Sequence, residues 1–124
     1  MKVMLVNGSP HEHGCTDAAL REVASALNAD GIDTEIFWIG NTPIGGCIAC
    51  GGCSKAGKCV FGGSVNDFAE KAKDADGFVF GTPVHYAAAS GNMTAFMDRL
   101  FYSAPKEAVS YTHLRAHETS AHLV

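Results

Sequence analysis

Four of the five cysteines in this 124-residue chain fall in one stretch: Cys47-Ile48-Ala49-Cys50-Gly51-Gly52-Cys53, then Ser54 to Lys58, then Cys59. Three thiols at successive spacings of three, with a fourth six residues on, can converge on the corners of a metal–sulfur cubane. Gly51 and Gly52 let the backbone wrap closely. The spacing favours thiolate ligation of a four-iron four-sulfur cluster. Two other readings stand beside it. Four-cysteine zinc sites generally pair two C-x-x-C knuckles across a longer spacer, which is missing here. The cysteines could also be metal-free thiols. The chain opens without a basic segment followed by a long apolar core, so no secretion signal is expected. In that setting a dense cysteine run points to a metal or redox site over a disulfide scaffold.

A second stretch with chemistry in it is the polar loop Asn7 to Thr16, in which Ser9, Gly14 and Thr16 flank Pro10-His11-Glu12-His13. It opens into a helical pattern. A helix N-terminus offers free backbone N–H groups and the positive end of the dipole, so such a loop can hold an anion. It has no lysine, so it is not a P-loop, and it is not G-x-G-x-x-G. Hydroxyl donors without a cation suit a phosphate monoester such as that of FMN. The plainer alternative is a turn followed by a helix cap. Cys15 stands outside the cysteine motif at the helix start, where a small buried residue beside the phosphate is expected.

The elements that must position these residues are legible from periodicity. Val3 to Val6 is a continuous apolar run, as expected for a strand covered on both faces of a parallel sheet. From about Thr16, the residues Ala19, Leu20, Val23, Ala24 and Leu27 recur on one helical face, and Gly31 can take the left-handed cap position. Thr34 to Ile39 reads as a second strand, completing a right-handed βαβ unit. Gly40 to Gly63 is a long glycine-rich loop, a length that is usually functional. Ser64 is expected to cap a helix carrying Val65, Phe68, Ala69 and Ala72 on its inner face. Phe78 to Phe80 forms a third strand, left by the loop Gly81 to Tyr86. A last helix starts near Ser90 or Gly91, with Met93, Phe96, Met97, Leu100 and Phe101 facing inward. Asp98 and Arg99 are expected to pair structurally, and Phe37 and Trp38 to pack on the sheet. In a doubly wound sheet of order 2-1-3-4-5, ligands sit at the carboxyl ends of strands 1 and 3. That order brings the loops 7–16 and 81–91 side by side.

Bulk composition bounds the rest. The chain holds at most one domain, with 47% hydrophobic and 18% charged residues. A net charge of −4 argues against nucleic acid and anionic membrane as main partners. No apolar run approaches the roughly 20 residues that span a bilayer. The expected location is the cytoplasm.

Three motifs in order carry a family resemblance: Val6-Asn7-Gly8-Ser9-Pro10 with Gly14 and Thr16, then Gly81-Thr82-Pro83-Val84-His85-Tyr86, then Thr94-Ala95-Phe96-Met97-Asp98-Arg99. Together they resemble the NADPH-dependent FMN reductase family of flavodoxin-like proteins, and the cysteine motif is similar to that of its iron–sulfur flavoprotein branch. The resemblance covers residues 1 to about 107. It implies a three-layer, doubly wound α/β fold and a flavin-dependent oxidoreductase or electron-transfer protein. It implies that Ser9, His11, Gly14, Cys15 and Thr16 hold the FMN phosphate and that Pro83, Val84, His85 and Tyr86 border the isoalloxazine ring. His85 replaces the usual aromatic before Tyr86. It further implies a four-iron four-sulfur cluster on Cys47, Cys50, Cys53 and Cys59. NAD(P)H, another small molecule or a ferredoxin-type protein would donate or accept electrons, and the full-length protein would be a homo-oligomer. Two alternatives remain: an NAD(P)H-dependent FMN or quinone reductase with metal-free cysteines, and a non-enzymatic zinc or redox-switch module.

Residues 109–119, Val-Ser-Tyr-Thr-His-Leu-Arg-Ala-His-Glu-Thr, have no amphipathic period and resemble the translation of a transposase-type sequencing adapter. The expected division is therefore 1–108, the first part of a flavodoxin-like domain, and 109–124, a non-native tail to be left out of fold reasoning. The domain would then be truncated after the helix that follows strand 3. That strand would lie bare at the sheet edge, and the chain would be marginally stable and bind FMN weakly or not at all.

Overall fold

The computed structural model describes residues 1–104. In chain order the elements are β1 (Lys2–Asn7), α1 (Cys15–Ala29), β2 (Asp33–Trp38), α2 (Cys53–Ala56), α3 (Ser64–Ala72), β3 (Gly77–Gly81) and α4 (Gly91–Ser103). The three strands are parallel in the order β2-β1-β3, so β1 is central. Its side chains alternate between two cores. Met4 and Val6 pack with Ile39, Val65, Phe68, Met93, Phe96 and Leu100, the layer made by α3 and α4. Leu5 packs with Leu20 and Ala24 of α1 on the other face. Met4, Leu5 and Val6 are fully buried, as an apolar run covered on both sides must be. The result is the three-layer α/β arrangement expected, with the strand order that opens a flavodoxin-like sheet.

Aromatic packing consolidates the larger core. The Phe68 ring meets Phe37 at 5.2 Å and Phe96 at 5.5 Å between centroids, both edge to face. Phe37 therefore packs as expected, and each such ring contributes about 1.5–3 kcal/mol on full burial. Ile39, expected as the last residue of the second strand, lies just beyond β2. It is buried, and its N–H donates to the Asn7 carbonyl at 3.1 Å. Among the described residues β3 is hydrogen-bonded on one side only, and Phe78 is 41% exposed.

The helix ends follow local chemistry, with one exception. At the end of α1, Gly31 takes φ +78°, its N–H donates to the Asn28 carbonyl, and the Ile32 N–H reaches the Leu27 carbonyl. This is the paired hydrogen-bond pattern of a glycine-terminated helix. The Ser90 hydroxyl caps α4 by accepting from the Met93 N–H at 3.2 Å. Ser64 does not cap α3. Gly63 holds the cap position with φ +77°, and Ser64 is the first helical residue. The glycine can take the left-handed backbone that turns the chain into the helix, which a serine would adopt only under strain. The expected tail at 109–124 lies outside the described residues.

Candidate functional site

The carboxyl ends of β1 and β3 are locked together. Asn7 pairs with Trp38 on one side and Gly81 on the other. One residue on, the Gly8 N–H donates to the Gly81 carbonyl at 2.8 Å. A Cβ at Gly8 would collide with Met93 Cε and come within 3.0 Å of Met93 Cβ, so only glycine lets α4 approach this closely. The Ser90 hydroxyl donates to the Gly8 carbonyl at 3.3 Å, and the Ser90 N–H donates to Thr82 Oγ1 at 3.0 Å. The two polar loops thus stand side by side around the N-terminus of α4.

The first loop is shaped by its own polar side chains. Asn7 is fully buried; its Oδ1 accepts from the Ser9 N–H at 2.9 Å and its Nδ2 donates to the Glu12 carbonyl at 3.1 Å. Ser9 is 5% exposed and its hydroxyl accepts from the His11 N–H at 3.1 Å. The Trp38 indole N–H donates to the Ser9 carbonyl at 2.8 Å, so Trp38 anchors the loop. Gly14 occupies the cap position of α1 with no side-chain cap. The first-turn N–H groups of Cys15, Thr16 and Asp17 are therefore donors free to face an anion. His11 and Cys15 are exposed and Thr16 is half-buried. Cys15 is thus not the small buried residue expected: at the first position of α1 it is exposed, and the buried positions of the helix begin at Asp17. Asp17 is buried, and the Arg21 guanidinium at 2.8 Å holds its carboxyl below the usual range against the cost of burial, with His13 adding to the effect at 3.6 Å.

In the second loop Pro83 is half-buried, and Val84, His85 and Tyr86 are exposed, Tyr86 by 90%. Val84 and Ala89 form an isolated antiparallel bridge that folds the segment back on itself. At its tip Ala87 takes φ +55°. Left-handed backbone at a non-glycine residue costs about 1–2 kcal/mol.

The cysteines form a separate site against α4. Cys47, Cys50, Cys53 and Cys59 line one small concavity with Val60, Phe61, Arg99 and Tyr102. Cys47 and Cys50 are exposed; Cys53 and Cys59 are half-buried. Ala49, inside the motif, is a second non-glycine residue with positive φ, +54°. A Cβ at Gly52 would lie 2.7 Å from Val60 Cγ1, so the absence of a side chain lets the Cys50–Cys53 turn pack against the Cys59 arm. The donor chemistry fits a thiolate-bound metal centre. The thiols are not gathered into coordination geometry: among the described residues no group of three or more Cys, His, Asp or Glu side chains is placed to hold a metal ion.

Two side chains of helix α4, Asn92 and Arg99, hold this loop, and one of α3 joins them. Asn92 Oδ1 accepts from the Ile44 N–H and its Nδ2 donates to the Thr42 carbonyl. Arg99 donates from Nε to Cys59 Sγ at 3.3 Å, and its terminal nitrogens donate to the Gly45 and Gly62 carbonyls. Asn66 of α3 donates to the Cys59 carbonyl at 2.7 Å. Among the described residues Arg99 has no carboxylate partner, so the expected Asp98–Arg99 pair does not form. Consecutive helical residues point in different directions; Arg99 is buried while Asp98 is exposed. Burial pushes the Cys59 thiol up, but the hydrogen bonds from Arg99 and the Phe61 N–H and the Arg99 charge outweigh it, and the net shift is downward.

Asn7, Trp38, Ser90 and Arg99 were not among the residues expected at either site. Asn7 carried one signal, an asparagine ending a strand before a glycine, which favours a side-chain-bonded turn. The other three are placed by contacts between residues far apart in sequence.

A parallel α/β sheet with polar loops at the carboxyl ends of adjacent strands defines a doubly wound protein of the kind that binds ligands at that crevice. The chain belongs to the NADPH-dependent FMN reductase family, whose sequence profile matches residues 1–117. It is 35% identical over 99 residues to an iron–sulfur flavoprotein of Methanocaldococcus jannaschii, covering 80% of this chain and 51% of that protein. An iron–sulfur flavoprotein of Archaeoglobus fulgidus is 27% identical over 100 residues, covering 81% and 46%, and one of Methanosarcina thermophila 26% over 99 residues, covering 80% and 52%. The chain spans about half the length of the curated relatives it matches. Among the described residues no helix is long and apolar enough to cross a membrane.

Proposed function

We propose that this chain is the flavin-binding part of a cytoplasmic FMN-dependent oxidoreductase that also carries a four-iron four-sulfur cluster. The observation that supports it best is the Gly8–Gly81 hydrogen bond, which ties the start of the first loop, the one that leads into the uncapped N-terminus of α1, to the end of β3 where the second loop begins. Ser9, His11, Gly14, Cys15 and Thr16 take the FMN phosphate through hydroxyl and backbone donors. Pro83, Val84, His85 and Tyr86 border the ring. FMN supplies the redox chemistry when bound, and the protein supplies orientation and electrostatics. Cys47, Cys50, Cys53 and Cys59 hold the cluster, which requires the Cys47–Cys53 arm to close on Cys59. When bound, the cluster takes up and releases single electrons. NAD(P)H, another small molecule or a ferredoxin-type protein serves as electron partner, and the full-length protein assembles as a homo-oligomer.

The test is the absorption spectrum of the full-length protein, purified anaerobically, with iron, sulfide and zinc analysis. Flavin absorption with about four iron and four sulfide per chain is expected. Flavin without iron or sulfide removes the cluster, zinc in its place supports a zinc module, and no flavin removes the whole reading. A second reading is favoured by the ungathered thiols: an NAD(P)H-dependent FMN or quinone reductase with metal-free cysteines. NADPH oxidation with FMN or a quinone as acceptor, unchanged by substituting the cysteines, supports that one.

A further inference from the structure

Arg99 is an unusual residue for the interior of α4. It is 7% exposed, and burying a cation without a counter-charge costs several kcal/mol. Its surroundings are carbonyls, a ring and one sulfur. The guanidinium donates to the Gly62 carbonyl at 2.6 Å and the Gly45 carbonyl at 3.4 Å, and lies 6.0 Å from the Phe61 ring centroid. Among its partners only Cys59 Sγ can carry a negative charge. Gly45 precedes the cysteine motif and Gly62 follows it, so one side chain ties both ends of the motif and its last thiol to a rigid helix.

We propose that Arg99 is the positioning residue of the cysteine centre: it clamps Gly45 and Gly62 together and supplies the counter-charge to Cys59 as a thiolate ligand. This rests on the cluster reading above. The physical consequence is electrostatic. Four thiolates make the bound centre a net anion, and adding one electron, with no bond made or broken, makes it more negative. A fixed cation hydrogen-bonded to one ligand sulfur stabilises the reduced form, because net charge and hydrogen bonds to sulfur are what set cluster potentials. A lysine keeps the charge but not the planar fork that reaches three acceptors at once.

Two measurements on the chain test this separately. The first is amide hydrogen exchange on metal-free wild type, Arg99→Lys and Arg99→Gln. Exchange across 45–62 is expected to quicken on the order of tenfold to a hundredfold in Arg99→Gln, the scale of losing charge-assisted hydrogen bonds. Exchange in β1 is expected to stay unchanged. Equal protection of 45–62 in both overturns the clamp, whether or not a cluster exists. The second is the midpoint potential of the centre after anaerobic reconstitution with iron and sulfide, titrated with dithionite against redox dyes. The potential is expected to fall in Arg99→Gln and to recover in part in Arg99→Lys. Unchanged potentials in both variants overturn the counter-charge while leaving the cluster reading intact. A wild-type chain that takes up no iron overturns the cluster reading and the counter-charge with it, and leaves the clamp to the exchange result. If Arg99→Gln does not fold, Arg99→Lys carries both readouts: faster exchange across 45–62 supports the clamp, and wild-type exchange and potential overturn the proposal.

Discussion

The Ser90 hydroxyl donates to the Gly8 carbonyl at 3.3 Å while accepting the Met93 N–H at 3.2 Å. These two residues are 82 positions apart, and the contact makes the cap of α4 part of the wall of the first loop. Ser90→Ala removes a helix cap and leaves a buried carbonyl short of a partner. The expected loss is about 1–2 kcal/mol. Urea unfolding read by circular dichroism measures it, and a midpoint within error of wild type would refute the role.

Gly8→Ala is expected to cost more than its single methyl suggests. The new Cβ meets Met93 Cβ at 3.0 Å and the Gly81 carbonyl oxygen at 3.1 Å, where backbone cannot yield easily. Forced overpacking of this kind costs about 1–3 kcal/mol. A thermal unfolding midpoint equal to that of wild type would show that α4 can slide away without penalty.

Trp38→Phe keeps an aromatic ring and deletes the N–H that fixes the Ser9 carbonyl at 2.8 Å. About 1 kcal/mol of stability is expected to go with it. If the first loop holds the FMN phosphate, affinity should also fall by about fivefold, because 1.4 kcal/mol corresponds to tenfold. Fluorescence titration with FMN separates the two effects: lost stability with unchanged affinity would place Trp38 outside the binding loop's function.

Glu35 gives the protein a defined acid limb. Its carboxylate accepts from Lys71 at 2.6 Å and from Lys2 at 3.0 Å, and the Lys71 hydrogen bond, then that of Lys2, lowers its pKa below 4.5 against partial desolvation. A depressed carboxylate stabilises the fold fully above its unfolded pKa and loses that contribution as pH falls through the folded value. Glu35 is 34% exposed, so solvent screening limits the effect to a few tenths up to about 1 kcal/mol. Glu35→Gln should therefore be less stable than wild type at pH 7 and converge with it as pH falls through the folded pKa, which lies below the usual glutamate range. Parallel stability curves across that range would exclude this ion pair as a source of acid sensitivity.

The sequence by itself determined the layers. A run apolar at every position from Val3 to Val6 requires cover on both faces, and the 3.6-residue spacing in α1 and α4 supplies it. Periodicity is a local property of the chain, so it can be read without partners. The four-cysteine motif and the two polar loops were legible for the same reason: their spacing is local. Tertiary structure alone decided what holds those loops. The capping of α3 by Gly63 in place of Ser64 turned on a backbone dihedral that sequence does not display. Trp38, Ser90 and Arg99 act through contacts spanning 29, 82 and 40 residues, respectively. Such contacts exist only once β1, β3 and α4 have closed around one another. Arg99 is the clearest case: beside Asp98 in sequence it suggests a surface ion pair, but the turn of the helix buries it against the carbonyls and thiol of the cysteine loop.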